Sequence, residues 1–175
     1  KRTITKLLEE MRSDKVGLIV FAGSSFVQLP ITTDLSTAQE FLSDVSPSML
    51  SDQGTAIGSA ITLARQSFSD RKDLGKAIVI LTDGEDFEDN ALEAATDASK
   101  AGVHINVVGI GTSEGGPIPT PQGQLTDESG NMVVTKLNLD MCKQLADTGK
   151  GIFVSSQTQA TIIKALKKQL DELPR

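Results

Sequence analysis

Residues 76–86 read KAIVILTDGED, and they decide the fold. Ala77 to Leu81 form an unbroken apolar run rich in Ile and Val, which is how a strand buried by helices on both faces is written. Asp83 and Gly84 then carry the chain out of that strand into a polar loop. Such a strand sits at or near the centre of an open α/β sheet, and ligands of such sheets gather at the carboxyl ends of the strands.

Outward from this run, the same alternation of strand and helix patterns repeats. ITKLLEEM places Ile4, Leu7, Leu8 and Met11 at helical spacing, and VGLIVFA from Val16 follows as a buried strand. SFVQLPI reads as an edge strand because Pro30 has no N–H to give to a ladder. Asp34 caps a helix through LSTAQEFL, and TAIGSAITLARQSF puts Ile57, Ala60, Ile61 and Ala64 on one face. Beyond the central strand come a helix in NALEAATDASKAG closed by Gly102, the strand VHINVVGIG, the helix LNLDMCKQLADTG, the strand GIFVS and a last helix through ATIIKALKKQLDEL. The expected fold is α/β: a Rossmann-like open, mostly parallel sheet flanked by helices. Residues 113–136 break the alternation and are expected to form an inserted β-hairpin, with GQLTDESGNMVVT as two short strands turning at Ser129-Gly130-Asn131.

The 175 residues suit one domain spanning 1–175, and 38% hydrophobic with 23% charged residues is ordinary for a globular chain. No apolar run approaches the roughly 18 to 20 residues of a membrane-spanning helix. The chain starts at Lys1 without Met or a signal-like segment, so a fragment or processed form is expected. A net charge of -6 and no Trp or Tyr argue against nucleic acid, which needs basic surface and stacking platforms. Cys142 is the only cysteine and lies among apolar residues, so it excludes an internal disulfide and reads as packed core.

Three places could hold a ligand. Asp44-Val45-Ser46-Pro47-Ser48 is an Asp-x-Ser-x-Ser string, but Ala38, Phe41 and Leu42 before it have helical spacing, so it reads as a turn rather than a metal loop. In SDQGTAIG, Thr55 stands where a loop enters a helix, and Gly54 allows close backbone approach; Thr55 as a simple helix cap is the alternative. Asp83 stands at the carboxyl end of the strongest strand.

Gly54-Thr55 and Thr82-Asp83-Gly84 together resemble von Willebrand factor A domains. The metal-ion-dependent adhesion site of that family combines an Asp-x-Ser-x-Ser loop after the first strand with a Thr and an Asp in turns of this kind. VGLIVFAGSSFVQLPITTD, QGTAIGSAI, IVILTDGED and VGIGTSEGGPIP are more closely similar to the Bat (Bacteroides aerotolerance) proteins, which are membrane-anchored von Willebrand A proteins of bacteria. The resemblance implies a fold lacking its first strand and the attached loop, since Lys1 already lies in the helix that follows them. Asp44, Ser46 and Ser48 are then a decoy.

The resemblance further implies a non-enzymatic protein-interaction domain. Thr55 and Asp83 would be metal groups, and Gly54, Gly84 and Glu85 a ligand rim. Mg2+ is the implied ion, with Mn2+ or Ca2+ as alternatives, held weakly or not at all without the missing loop. An acidic residue of a protein ligand, other Bat-type proteins included, would complete the coordination. The implied setting is a stress-related parent in the bacterial inner membrane with this domain in the periplasm. The missing strand would flank both VGLIVFA and KAIVILT, so these neighbours are expected to shift, swap strands between copies, or aggregate.

A receiver-like phospho-acceptor, or another Mg2+-dependent enzyme using Asp83, is the rival reading, with Thr112 and Lys150 as partners. Other catalytic arrangements lack support. His104 is the only histidine and sits inside a strand, and no Gly-x-Ser-x-Gly, Gly-Lys-Ser/Thr or complete dinucleotide fingerprint occurs. The acidic run Asp83, Glu85, Asp86, Glu88, Asp89 lacks EF-hand spacing and reads as a solvated rim.

Overall fold

The computed structural model describes residues 1–11, 13–52, 54–83, 90–110, 138–155 and 158–174, together with four two-residue strands between 116 and 135. The elements run α1 (Arg2–Glu10), β1 (Val16–Phe21), β2 (Ser25–Thr32), α2 (Leu35–Asp44), a 3-10 turn at Pro47–Met49, α3 (Ile57–Ser67), β3 (Lys76–Thr82), α4 (Ala91–Lys100) and β4 (Val103–Gly109). The short strands β5 (Gly116–Pro117), β6 (Pro119–Thr120), β7 (Gly123–Gln124) and β8 (Val134–Thr135) follow, then α5 (Leu139–Thr148), β9 (Lys150–Ser155) and α6 (Gln159–Asp171). The α/β order of strands and helices expected from the sequence is present, with Asp34 capping α2 by accepting the Thr37 N–H.

β3, β4 and β9 form a parallel sheet in that order, with Ile78 opposite Ile105 and Thr82 opposite Gly109. β4 is the middle strand and the more deeply buried, whereas β3, the more apolar run in sequence, stands at the sheet's edge. The alternation of side chains sends Ile80, Ile105 and Val107 to one face, where α3, α4 and α5 cover them. Val79, Leu81 and Val108 point the other way, under α1 and α6. β1 and β2 form a separate antiparallel pair, packed on α1 and α2 through Leu8, Val16, Leu29, Ala38 and Leu42.

β1 does not pair with β3. Between them lies a cavity of about 550 Å³, walled by both strands and covered by Leu7 and Leu8 of α1 and by Ile57 and Ile61 of α3. The expectation that the neighbouring strands shift to close this gap is not met. β1 is held on its far side by β2 and β3 by β4, while α1 sends Leu7 to one cluster and Leu8 to the other. A helix packed into both halves fixes their spacing, so closing the gap would tear apart cores worth roughly 1.5–3 kcal/mol per buried aliphatic side chain.

The inserted segment also differs from expectation. β8 pairs with β5 (Gly116 opposite Thr135) and β7 pairs with β6 (Thr120 opposite Gly123), so the two expected partner strands each pair elsewhere. The expected turn at Ser129-Gly130-Asn131 lies outside the described residues.

Candidate metal and ligand site at the carboxyl edge

β3 delivers the acidic candidate. Thr82 is buried at the strand's end and Asp83, the next residue, is exposed. The Ile110 N–H donates to the Thr82 carbonyl at 2.8 Å, so the exit of β4 ties off the last ladder position of β3. Both strands therefore end at one edge, with Ile110 half exposed beside them.

The hydroxyl candidate is set by backbone bonds from the turn after β1. The Ala56 N–H donates to the Ala22 carbonyl at 2.7 Å, and the Gly23 N–H donates to the Asp52 carbonyl at 3.1 Å. These bonds clamp the chain on both sides of Gly54-Thr55. Gly54 has φ 137, a conformation that side chains beyond glycine rarely adopt, so the turn depends on it. α3 begins after Ala56 with no side-chain cap, so Thr55 does not serve as the capping residue of the simpler reading. Ser25 and Ser59 hydroxyls meet at 2.6 Å and join β2 to α3. The supporting role of Ala22-Gly23 has no local signal in the sequence, because their partners Ala56 and Asp52 lie some thirty residues away.

Gly54, Thr55 and Asp83 line the same cavity, the slot between β1 and β3. The structure thus brings together the candidates that lie 28 positions apart in the numbering. A threonine hydroxyl and a carboxylate are hard oxygen donors, suited to Mg2+ or Ca2+ in kind but short of the roughly six ligands Mg2+ takes. No group of three His, Cys, Asp or Glu is assembled among the described residues. Of the proposed rim, Gly54 lines the cavity, while Gly84 and Glu85 lie outside the described residues.

The Asp83 charge reaches the underside of the site. Burial pushes the Cys142 thiol up to about 11, and the Asp83 carboxylate adds to the shift. Cys142 is fully buried on α5, so it is core, as expected.

Among the described residues the rival sites do not assemble. Lys150 opens β9 opposite Ile105, four β4 positions short of Gly109 at the Asp83 edge, or roughly 13 Å along the strand. Thr112 lies outside the described residues. His104 lies on the sheet, with its Nδ1 donating to the Lys150 carbonyl at 3.0 Å. Asp44 ends α2, and Ser46 caps the following 3-10 turn, its N–H bonding the Met49 sulfur at 3.3 Å and its hydroxyl meeting that of Ser48 at 2.7 Å. The Asp-x-Ser-x-Ser string is a turn.

A model of the von Willebrand factor type A domain matches residues 1–148. The chain belongs to this family. As a von Willebrand A domain it is similar to an aerotolerance-related membrane protein of Bacteroides fragilis, solved with multiple mutations to serine, at 44% identity and TM-score 0.92, covering 98% of this chain and 86% of that one. BatB of Bacteroides thetaiotaomicron gives 45% identity and TM-score 0.90 with the same coverage. An uncharacterized Borreliella burgdorferi protein is 29% identical over 116 residues, and the match spans 65% of this chain and 34% of that protein, about a third of its length. At the level of fold alone, proximal thread matrix protein 1 from the mussel byssus, solved with a zinc-occupied MIDAS motif, aligns at TM-score 0.66 and 15% identity, covering 97% of this chain and 41% of that one. No helix among the described residues is long and apolar enough to cross a membrane.

Proposed function

We propose that this von Willebrand A domain is a protein-interaction module, with Thr55 and Asp83 as metal groups and Gly54, Gly84 and Glu85 as the rim against which a partner docks. One observation carries the reading: Thr55 and Asp83, distant in sequence, both line the cavity between β1 and β3, and Asp83 stands at the carboxyl end of β3. A divalent cation there, Mg2+ with Mn2+ or Ca2+ as substitutes, would bridge to an acidic side chain of the partner. Two protein oxygens fall short of the roughly six ligands Mg2+ takes, so these 175 residues are expected to bind it weakly or not at all.

A non-enzymatic role is favoured by the separation of Lys150 from Asp83, by His104 being engaged with a backbone carbonyl, and by the burial of Cys142. The parent is placed at the bacterial inner membrane with this domain in the periplasm, acting in aerotolerance or stress with other Bat-type proteins as partners; the description of the Bacteroides fragilis relative as an aerotolerance-related membrane protein supports the membrane and aerotolerance parts of that placement. The open slot supports association between copies by strand exchange, because both of its walls leave backbone groups without a neighbouring strand.

Isothermal titration with Mg2+ and Mn2+ tests the metal site, on this chain and on one extended N-terminally by one strand and its loop. Binding is expected to tighten in the extended chain and to vanish with Asp83→Ala. Binding lost with Asp44→Ala and kept with Asp83→Ala would overturn the assignment. Acetyl phosphate treatment followed by mass spectrometry tests the rival, since a labile adduct on Asp83 would make the domain a phospho-acceptor.

A further inference from the structure

We draw no further inference here: the strongest candidate, the apolar slot between β1 and β3, has the form of an acceptor for one extended strand, and that restates the strand order of the von Willebrand A fold itself.

Discussion

The Asn106 side chain stands in for a missing strand neighbour of Ile152: its Oδ1 accepts the Ile152 N–H at 3.0 Å. From Ile105 to Val107 β4 advances two residues, while β9 advances three, from Lys150 to Phe153. The extra residue makes a bulge, and bulges leave a ladder donor without its usual partner. Lys150 enters this bulge at φ 55, and a Cβ on Gly151 would run into the Ile105 carbonyl. The Asn106 Nδ2 has no partner among the described residues, a cost the structure accepts to satisfy the backbone.

Asn106→Ala should therefore destabilise the domain by about 1 kcal/mol or more, since it removes the partner of a half-buried N–H. Urea unfolding checks this through a lowered midpoint at unchanged slope. Gly151→Ala should cost about 3 kcal/mol or more, because the added Cβ would meet the Ile105 backbone carbonyl first, with the Asn106 Oδ1 close beside it. An Asn106→Ala midpoint equal to the parent's would mean the bond does not bear on stability.

Cys142 should resist thiol reagents at pH 8 in the native state and react at once in urea, since the thiol is buried and stays protonated up to about pH 11. The folded value lies above the ordinary 9.0, so the folded state holds this proton more tightly. Its contribution is complete below pH 9 and declines as pH rises towards 11. Stability measured against pH should show that decline, and Cys142→Ala should flatten it. Asp83→Asn should lower the thiol pKa by removing a nearby negative charge; an unchanged thiolate titration would separate Asp83 from α5.

Gly54→Ala should weaken divalent-cation binding in the N-terminally extended chain without removing a ligand atom. A side chain at φ 137 is strained by about 1–3 kcal/mol, and relief of that strain moves the Thr55 turn. Titration of Mn2+ should show several-fold weaker binding, with the fold intact by circular dichroism. Affinity equal to the parent's would detach the turn from the site.

The slot predicts that the 175-residue chain binds an apolar dye and self-associates as concentration rises. Ile19 lines this cavity from β1, and Ile19→Lys should suppress association by placing a charge on the open edge. Light scattering with dye fluorescence decides. A chain monomeric at all concentrations, with no dye bound, would show that the gap closes in solution.

Local pattern made much of the fold legible. The apolar run ending in Thr82-Asp83 announced a buried strand with a functional edge, Asp34 announced the start of α2, and the helical spacing of Ala38 and Leu42 exposed the Asp-x-Ser-x-Ser string as a turn. Periodicity and capping involve residues a few positions apart, so a single stretch contains all the information. The burial of Cys142 was legible for the same reason.

What only the tertiary structure decided involves partners brought together from far along the chain. No local feature says that β9 carries one more residue than β4, that Asn106 meets Ile152, or that Ala22 accepts the Ala56 N–H beside Thr55. Nor does strand composition say which run takes the middle of the sheet: β3 is the more apolar, yet β4 is central and β3 borders the slot. Pairing with both β3 and β9 makes β4 the middle strand, while α1 packs against both halves and spans the gap between β1 and β3. The residues of the candidate site were present in the sequence; their convergence on one cavity follows from that long-range packing.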